Sequence, residues 1–204
     1  IGNATLTYTL PTGCYSTAPM TVNQLPAPIL PANLRICQGT SITLTNAISG
    51  GTWNSGIPAV ATINPSSGLL SAIGSIPVPI TYTLPTGCAV TSIVTINPLP
   101  GLFITSPSVG SYCATSPSTT AVTLSGSTIG VEYDLIFSGS TITSLYGTGG
   151  SLNFGIQTTP GNYTIFATDT ASGCARGMVA STNIVVNPLP APQIVSGGGS
   201  YCQD

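Results

Sequence analysis

The octapeptide Thr-Tyr-Thr-Leu-Pro-Thr-Gly-Cys runs from Thr7 to Cys14 and returns unchanged from Thr81 to Cys88. Whatever local structure this stretch adopts has to be adopted twice, so the chain is held to a repeating architecture. Two more phrases recur. One reads VNQLPAP from Val22, INPLPGL from Ile96 and VNPLPAP from Val186; the other reads GSYC from Gly110 and from Gly199. They come in a fixed order: Thr-Gly-Cys, a strand-like run, the Asn-x-Leu-Pro phrase, an extended segment, then a cysteine.

The repeating unit is built of strands. Eighteen prolines and 24 glycines are scattered along the chain, and no stretch carries an apolar face at helical spacing. Short alternating runs take its place: TSITLTN from Thr40, VPITYTL from Val78, TTAVTLS from Thr119, NYTIFAT from Asn162 and STNIVVN from Ser181. Clusters of Gly, Pro, Asn and Ser bound them at short intervals. This pattern predicts an all-β fold of sandwich type.

Charge removes several classes of function. Only 3% of residues are charged and there is no histidine, against about 25% charged in an ordinary soluble domain. A basic nucleic-acid footprint is missing, and no Ser-His-Asp or Cys-His nucleophile system can be assembled. Mean hydropathy is +0.44, yet polar residues, Gly or Pro interrupt every window of the length a spanning helix needs, about 20 residues. An outer-membrane barrel would show alternating strands of roughly ten residues, which 18 prolines and six cysteines fit poorly, so membrane insertion is not expected. Weak charge repulsion favours association with neighbours instead.

The Leu-Pro phrase is the natural joint, because proline removes a backbone donor and stiffens the chain toward an extended conformation. The joints divide the chain into residues 1–25, matching the last two strands of a unit; a full unit at 26–98; a second at 99–188; and 189–204, matching only a first strand. The prediction is a linear array of tandem β-sandwich domains with partial domains at both ends. The expectation is that the chain is a window on a longer array. A rival reading completes the end pieces with strands from neighbouring subunits.

Gly50–Gly74 resembles the group 2 bacterial Ig-like domains of intimin- and invasin-type surface proteins. The matching residues are Trp53-Asn54-Ser55, Pro58 to Ile63, Gly68-Leu69-Leu70 and Ala72-Ile73-Gly74. The second unit, with GVEYDLIFSG from Gly130 and the run from Ser151 to Cys174, is similar to the PKD- and Ig-like repeats of large Bacteroidota-type surface proteins. The resemblance implies tandem Ig-like sandwiches in an extracellular, cell-surface location. It is silent on ligand, because such modules serve as stalks, spacers and adhesive tips.

Individual residues read as structural. Trp53 is expected in the core between two sheets; the sharper alternative, a sugar-stacking platform, usually needs several aromatics. Tyr163 is expected as a tyrosine-corner residue bonding nearby backbone. Tyr8 and Tyr82 occupy equivalent repeat positions and so share a packing role. Glu132 and Asp134 fall on one strand face, where they read as a solvated pair rather than a calcium site, which takes six to eight oxygens. No cofactor or metal is expected. Asp169-Thr170-Ala171 resembles the Asp-Ser/Thr-apolar acceptor for O-glycosylation in Bacteroidota-type exported proteins, making Thr170 a candidate modified residue. Asn3 and Asn162 begin N-linked patterns, each at or in a strand.

The six cysteines form no CxxC pair, so structural zinc is not expected. In an exported β-protein they read as disulfides. Pairing within units joins Cys37 to Cys88 and Cys113 to Cys174, leaving Cys14 and Cys202 for partners outside the window. Pairing across the joints joins Cys14 to Cys37, Cys88 to Cys113 and Cys174 to Cys202. Within-unit pairing is the expectation, since a bridged loop of about 50 to 60 residues stabilises a domain by roughly 4 kcal/mol in the chain-entropy model.

Two functions follow from different classes. The first is a structural segment of an extracellular fibre or adhesin stalk, without catalysis, whose partners are neighbouring repeats or subunits. The second is a polysaccharide-binding module, with surface glycans as partners. Trypsin offers a first check, since only Arg35 and Arg176 can be cut and each lies two residues from a cysteine. The folded, oxidised chain is expected to survive prolonged trypsin and to be cut after reduction. Rapid cleavage of the oxidised chain at both arginines, followed by mass spectrometry, would count against compact units.

Overall fold

A computed structural model describes residues 2–192 and Gly198. The described residues contain strands and no helix. They divide into two compact units, Ile1–Leu99 and Pro100–Asp204. Cys202 and the end of the predicted segment 189–204 lie outside the described residues.

The first unit begins with a separate two-stranded hairpin, β1 (Gly2–Thr9) and β2 (Tyr15–Val22). Its sandwich follows, made of β3 (Arg35–Cys37), β4 (Ser41–Thr43), β5 (Thr52–Ser55), β6 (Ala61–Ile63), β7 (Leu69–Ala72), β8 (Val78–Thr83) and β9 (Ala89–Asn97). One sheet has the order β3-β9-β8-β5 and the other β4-β7-β6. β3 runs parallel to β9, whereas the segment just before it bridges antiparallel to the other sheet through Leu30 and Thr45. The first segment of the unit thus serves both sheets, changing over near the cis Leu30–Pro31 bond.

The second unit repeats this plan. Its strands are β10 (Thr105–Ser106), β11 (Val109–Cys113), β12 (Ala121–Leu124), β13 (Val131–Phe137), β14 (Ser140–Tyr146), β15 (Leu152–Ile156), β16 (Gly161–Asp169), β17 (Ala175–Gly177) and β18 (Thr182–Asn187). The sheets are β10-β12-β15 and β11-β18-β16-β13-β14, with β17 beside β16. β11 is again parallel to the last strand, β18, and a cis Ser106–Pro107 bond again marks the change of sheet. The units differ in their middle strands. The first adds β6 to the smaller sheet, and the second adds β14 to the larger one. The all-β, tandem β-sandwich architecture is the one predicted.

Strand alternation explains the cores. β8 reads buried, half-buried, buried throughout, and so does β13 for its first five residues, as a period of two requires. Ile80, Tyr82, Leu70 and Trp53 centre the first core; Tyr133, Leu135, Tyr163 and Ile165 centre the second. Trp53 is buried, with its ring 4.6 Å from that of Tyr82. Buried tyrosines keep their hydroxyls satisfied, as burial demands. Tyr82 donates to the Ile48 carbonyl at 2.8 Å and accepts from the Gly51 N–H at 2.8 Å. Tyr163 donates to the Thr159 carbonyl at 2.8 Å, which is the corner predicted for it.

Gly68 is a position where only glycine fits. Its φ is +72°, and a Cβ there would sit 2.5 Å from the Leu44 carbonyl oxygen and 3.0 Å from Trp53 Nε1. Gly87, at φ +87°, has open space around it. Gly87→Ala is expected to cost about 1–2 kcal/mol of backbone strain. Gly68→Ala is expected to cost roughly 3–4 kcal/mol, because a contact with fixed backbone adds to the strain. Urea unfolding of both variants checks this, and equal costs would refute the contact argument.

Candidate functional site

No catalytic or metal-binding cluster stands out among the described residues. No group of three or more Cys, Asp or Glu residues there is placed to hold a metal ion. Glu132 and Asp134 are half-buried on one face of β13, and Asp134 accepts a hydrogen bond from the Ser144 hydroxyl across the strand pair. Two shallow depressions, of about 240 and 180 Å³, flank Trp53. The ring itself is only 6% exposed, so it offers no face for a sugar to stack on.

The distinctive surface is the β1–β2 hairpin. Its register repeats that of β8–β9 residue for residue: Ala4 faces Met20 as Val78 faces Val94, and Tyr8 faces Ser16 as Tyr82 faces Val90. The turns match too. Leu10 N–H donates to the Cys14 carbonyl and Gly13 N–H to the Leu10 carbonyl, just as Leu84 and Gly87 do in the second copy. Both turns need glycine, at φ +86° and +87°. What differs is burial. Ile80, Tyr82, Leu84, Val94 and Ile96 are at most 8% exposed, whereas Leu6, Tyr8, Leu10, Met20 and Val22 are 45–70% exposed. The same inward face exists twice, once covered and once bare. The sequence predicts that Tyr8 and Tyr82 share a packing role; within this chain only Tyr82 fills it.

The cysteines correct an expectation. Cys37 and Cys174 are disulfide-bonded, while Cys14, Cys88 and Cys113 are free thiols. The pairings Cys37–Cys88 and Cys113–Cys174 are not formed, nor are Cys14–Cys37 and Cys88–Cys113. Geometry excludes the first two. Cys37 is level with Asn97 at the last residue of β9, and Cys88 precedes its first, so the two lie about 30 Å apart along the strand at ~3.3 Å per residue. Cys113 is level with Asn187, beyond the Gly161 end of β16, and Cys174 adjoins the Asp169 end, roughly 35 Å away by the same measure. A disulfide needs Cα atoms within about 7 Å.

Each unit therefore carries two cysteine types at opposite ends. Cys37 and Cys113 end the parallel strand at the downstream end, where the chain leaves the unit. The following residue in each case, Gln38 or Ala114, donates its N–H to the carbonyl of the last strand's final asparagine, Asn97 or Asn187. Cys88 and Cys174 close a glycine turn at the upstream end. Leu84 donates to the Cys88 carbonyl, and Asp169 donates to the Cys174 carbonyl. The signal for this was in the sequence: a cysteine after a Thr-Gly or Ser-Gly turn marks a hairpin tip, and one ending a first strand marks the other pole.

The turn that carries Thr170 is ordered by Asp169. Its Oδ1 accepts from the Ser172 N–H at 2.7 Å, the Ser172 hydroxyl at 2.8 Å and the Ala171 N–H at 3.1 Å. Thr170 is exposed, and both its hydroxyl and its N–H donate to the Gly130 carbonyl. A sugar on the Thr170 oxygen would replace the hydroxyl bond and leave the N–H bond in place.

No family model matches the chain, and no curated protein matches it. Solved structures that are similar to it include the fibronectin(III)-like modules of Clostridium thermocellum CbhA, 15% identical over 82% of this chain and 98% of that one, with a TM-score of 0.38. Domains 4 and 5 of the S-layer protein SbsC are 14% identical over 79% of this chain and 100% of theirs, at 0.35. The D00-D0 domains of intimin are 12% identical over 79% and 100%, at 0.32. Likeness at this level goes no further than the general architecture.

Folding lowers the Asp169 pKa below its usual 3.8, first through the Ser172 N–H, then the Ser172 hydroxyl, with the Ala171 N–H adding to them and burial opposing. A carboxyl lowered on folding stabilises the native state above its unfolded pKa and loses that contribution as pH falls through the folded value. Asp169→Ala is expected to destabilise the second unit at pH 7 by about 1–3 kcal/mol, as for bonds to a charged acceptor. The gap from the parent chain should narrow below pH ~3.8. Urea unfolding at both pH values checks this, and an equal gap at both would contradict it.

Proposed function

We propose that this chain is a structural segment of a long extracellular fibre or adhesin stalk on a bacterial surface, with no catalytic role. One observation carries the reading. The β1–β2 hairpin has the register, turn and inward-facing residues of a closing hairpin, but no sandwich beneath it. Such a face finds its natural cover in the remaining strands of a further Ig-like unit, equivalent to β3–β7. Units that need one another in this way form a series, in which each contacts mainly its neighbours.

Other features support the same reading. Joint prolines Pro26 and Pro100 follow Leu25 and Leu99 at equivalent places, and both are buried. Weak net charge, −2 over the whole sequence, leaves little repulsion between units or between fibres. The binding-module alternative loses support with Trp53 in the core. A second reading shares the same observation: the strands that cover the hairpin come from a separate copy of the chain, giving a polymer by strand complementation.

Electron microscopy of native material tests the proposal. A thin thread is expected, beaded at roughly 3–5 nm, the length of a unit whose strands run to about nine residues with turns at each end. Compact globules would end it. A reducing, denaturing gel of the same material separates the two readings: a single very long polypeptide supports the continuous array, and subunits near 20.4 kDa support complementation.

A further inference from the structure

Among the described residues of the two sandwiches, one cysteine of each type is oxidised and one of each type is reduced. Cys37, downstream type, and Cys174, upstream type, are disulfide-bonded; Cys113 and Cys88, their counterparts, are thiols, Cys113 exposed and Cys88 half-buried. Cys37 and Cys113 share the strand-end setting set by the bonds to Asn97 and Asn187, and Cys88 and Cys174 each follow a glycine turn, which spans Leu84 to Cys88 in one unit and Asp169 to Cys174 in the other. Each position type is thus able to form a disulfide, and the thiols at Cys88 and Cys113 are left without a partner in their own sandwich. Strand length keeps Cys88 from Cys37 and Cys113 from Cys174, tens of ångströms apart within each sandwich.

We propose that Cys88 and Cys113 are cross-linking sites between like units: Cys113 pairs with an upstream-type cysteine of another Ig-like unit, and Cys88 with a downstream-type cysteine of another. The partner chemistry is thus a thiol ending a Thr-Gly or Ser-Gly turn for Cys113, and a thiol ending a first strand for Cys88. This deepens the fibre reading, and rests on it only for the presence of further units. Cys14 has the same turn as Cys88 and belongs to the upstream type, so it competes for the same partners.

Bond formation needs an external disulfide donor, such as oxidised glutathione or a protein disulfide oxidase. One thiolate attacks the donor and releases one donor thiol. The second thiolate then displaces the other donor sulfur from the mixed disulfide. Two protein thiols lose two protons and two electrons, and the donor disulfide is reduced to two thiols. The extracellular setting proposed above is one where such bonds persist.

The test uses the full 204-residue chain carrying Cys14→Ser and Cys202→Ser, held in a buffer of oxidised and reduced glutathione. Cys88 and Cys113 are both free in this chain rather than bonded to each other, so the complementary partner sought for each is on a second copy. A ladder of oligomers is expected on a non-reducing gel, with the Cys88–Cys113 peptide pair dominant by mass spectrometry. Adding Cys113→Ser should abolish the dimer along with the higher species, and adding Cys88→Ser should do the same. Persistent alkylation of both thiols would overturn the proposal. So would equal amounts of Cys88–Cys88 and Cys113–Cys113 pairs, or a Cys88–Cys113 bond closed within one chain. Such a failure would leave a beaded thread in the microscope untouched, so it is distinguishable from failure of the fibre reading.

Discussion

Burial of one hairpin's inward face closes the first sandwich, and most of what distinguishes this molecule depends on it. β8 and β9 bring Val78, Ile80, Tyr82, Leu84, Val94 and Ile96 against the opposite sheet, each at most 8% exposed. At about 1.5–3 kcal/mol per buried large side chain, the gross contribution is on the order of 10 kcal/mol. That is comparable to the whole net stability of a domain. With 3% charged residues, ion pairs offer nothing to replace it. A unit without this hairpin has no basis for stability, and a hairpin without its unit has a face with nowhere to go.

The β1–β2 hairpin stands in the second position. Its apolar face repeats the register of β8–β9, yet Leu6 and Tyr8 are 65% and 70% exposed. Exposed apolar strands of this kind are a hazard for soluble monomers. They are the expected state of an element whose partner strands belong to a further unit. The same logic extends to the cysteines. A sandwich whose two cysteine types sit at opposite poles cannot staple itself, so any bond formed at Cys88 or Cys113 must tie its sandwich to something beyond it.

Much of the fold was legible because its signals are local. Alternation in VPITYTL and NYTIFAT gave strands, the prolines and glycines excluded helices, and the recurrence of TYTLPTGC implied one hairpin built twice. Trp53 and Tyr163 were readable because a core tryptophan and a corner tyrosine follow from strand position and a preceding turn. The disulfide expectation failed for a different reason. Loop-closure entropy favours Cys37–Cys88 on chain length alone, but β9 holds the two sulfurs at opposite poles, and rigid strand length outweighs loop entropy. The switch of the first segment between sheets, at Leu30 in one unit and Ser106 in the other, was likewise invisible, because it depends on partners far along the chain. So was the Asp169 turn, whose order comes from hydrogen bonds that short polar residues make in many contexts.

The central claim is that the bare face of β1–β2 is a core face awaiting its unit. Amide hydrogen exchange measures it most directly, comparing the isolated 204-residue chain with the native assembly. The account predicts that amides of Leu6, Tyr8, Met20 and Val22 exchange quickly in the isolated chain, and in the assembly become as protected as those of Ile80, Tyr82, Val94 and Ile96. Exchange at the hairpin that stays equally fast in both would contradict it.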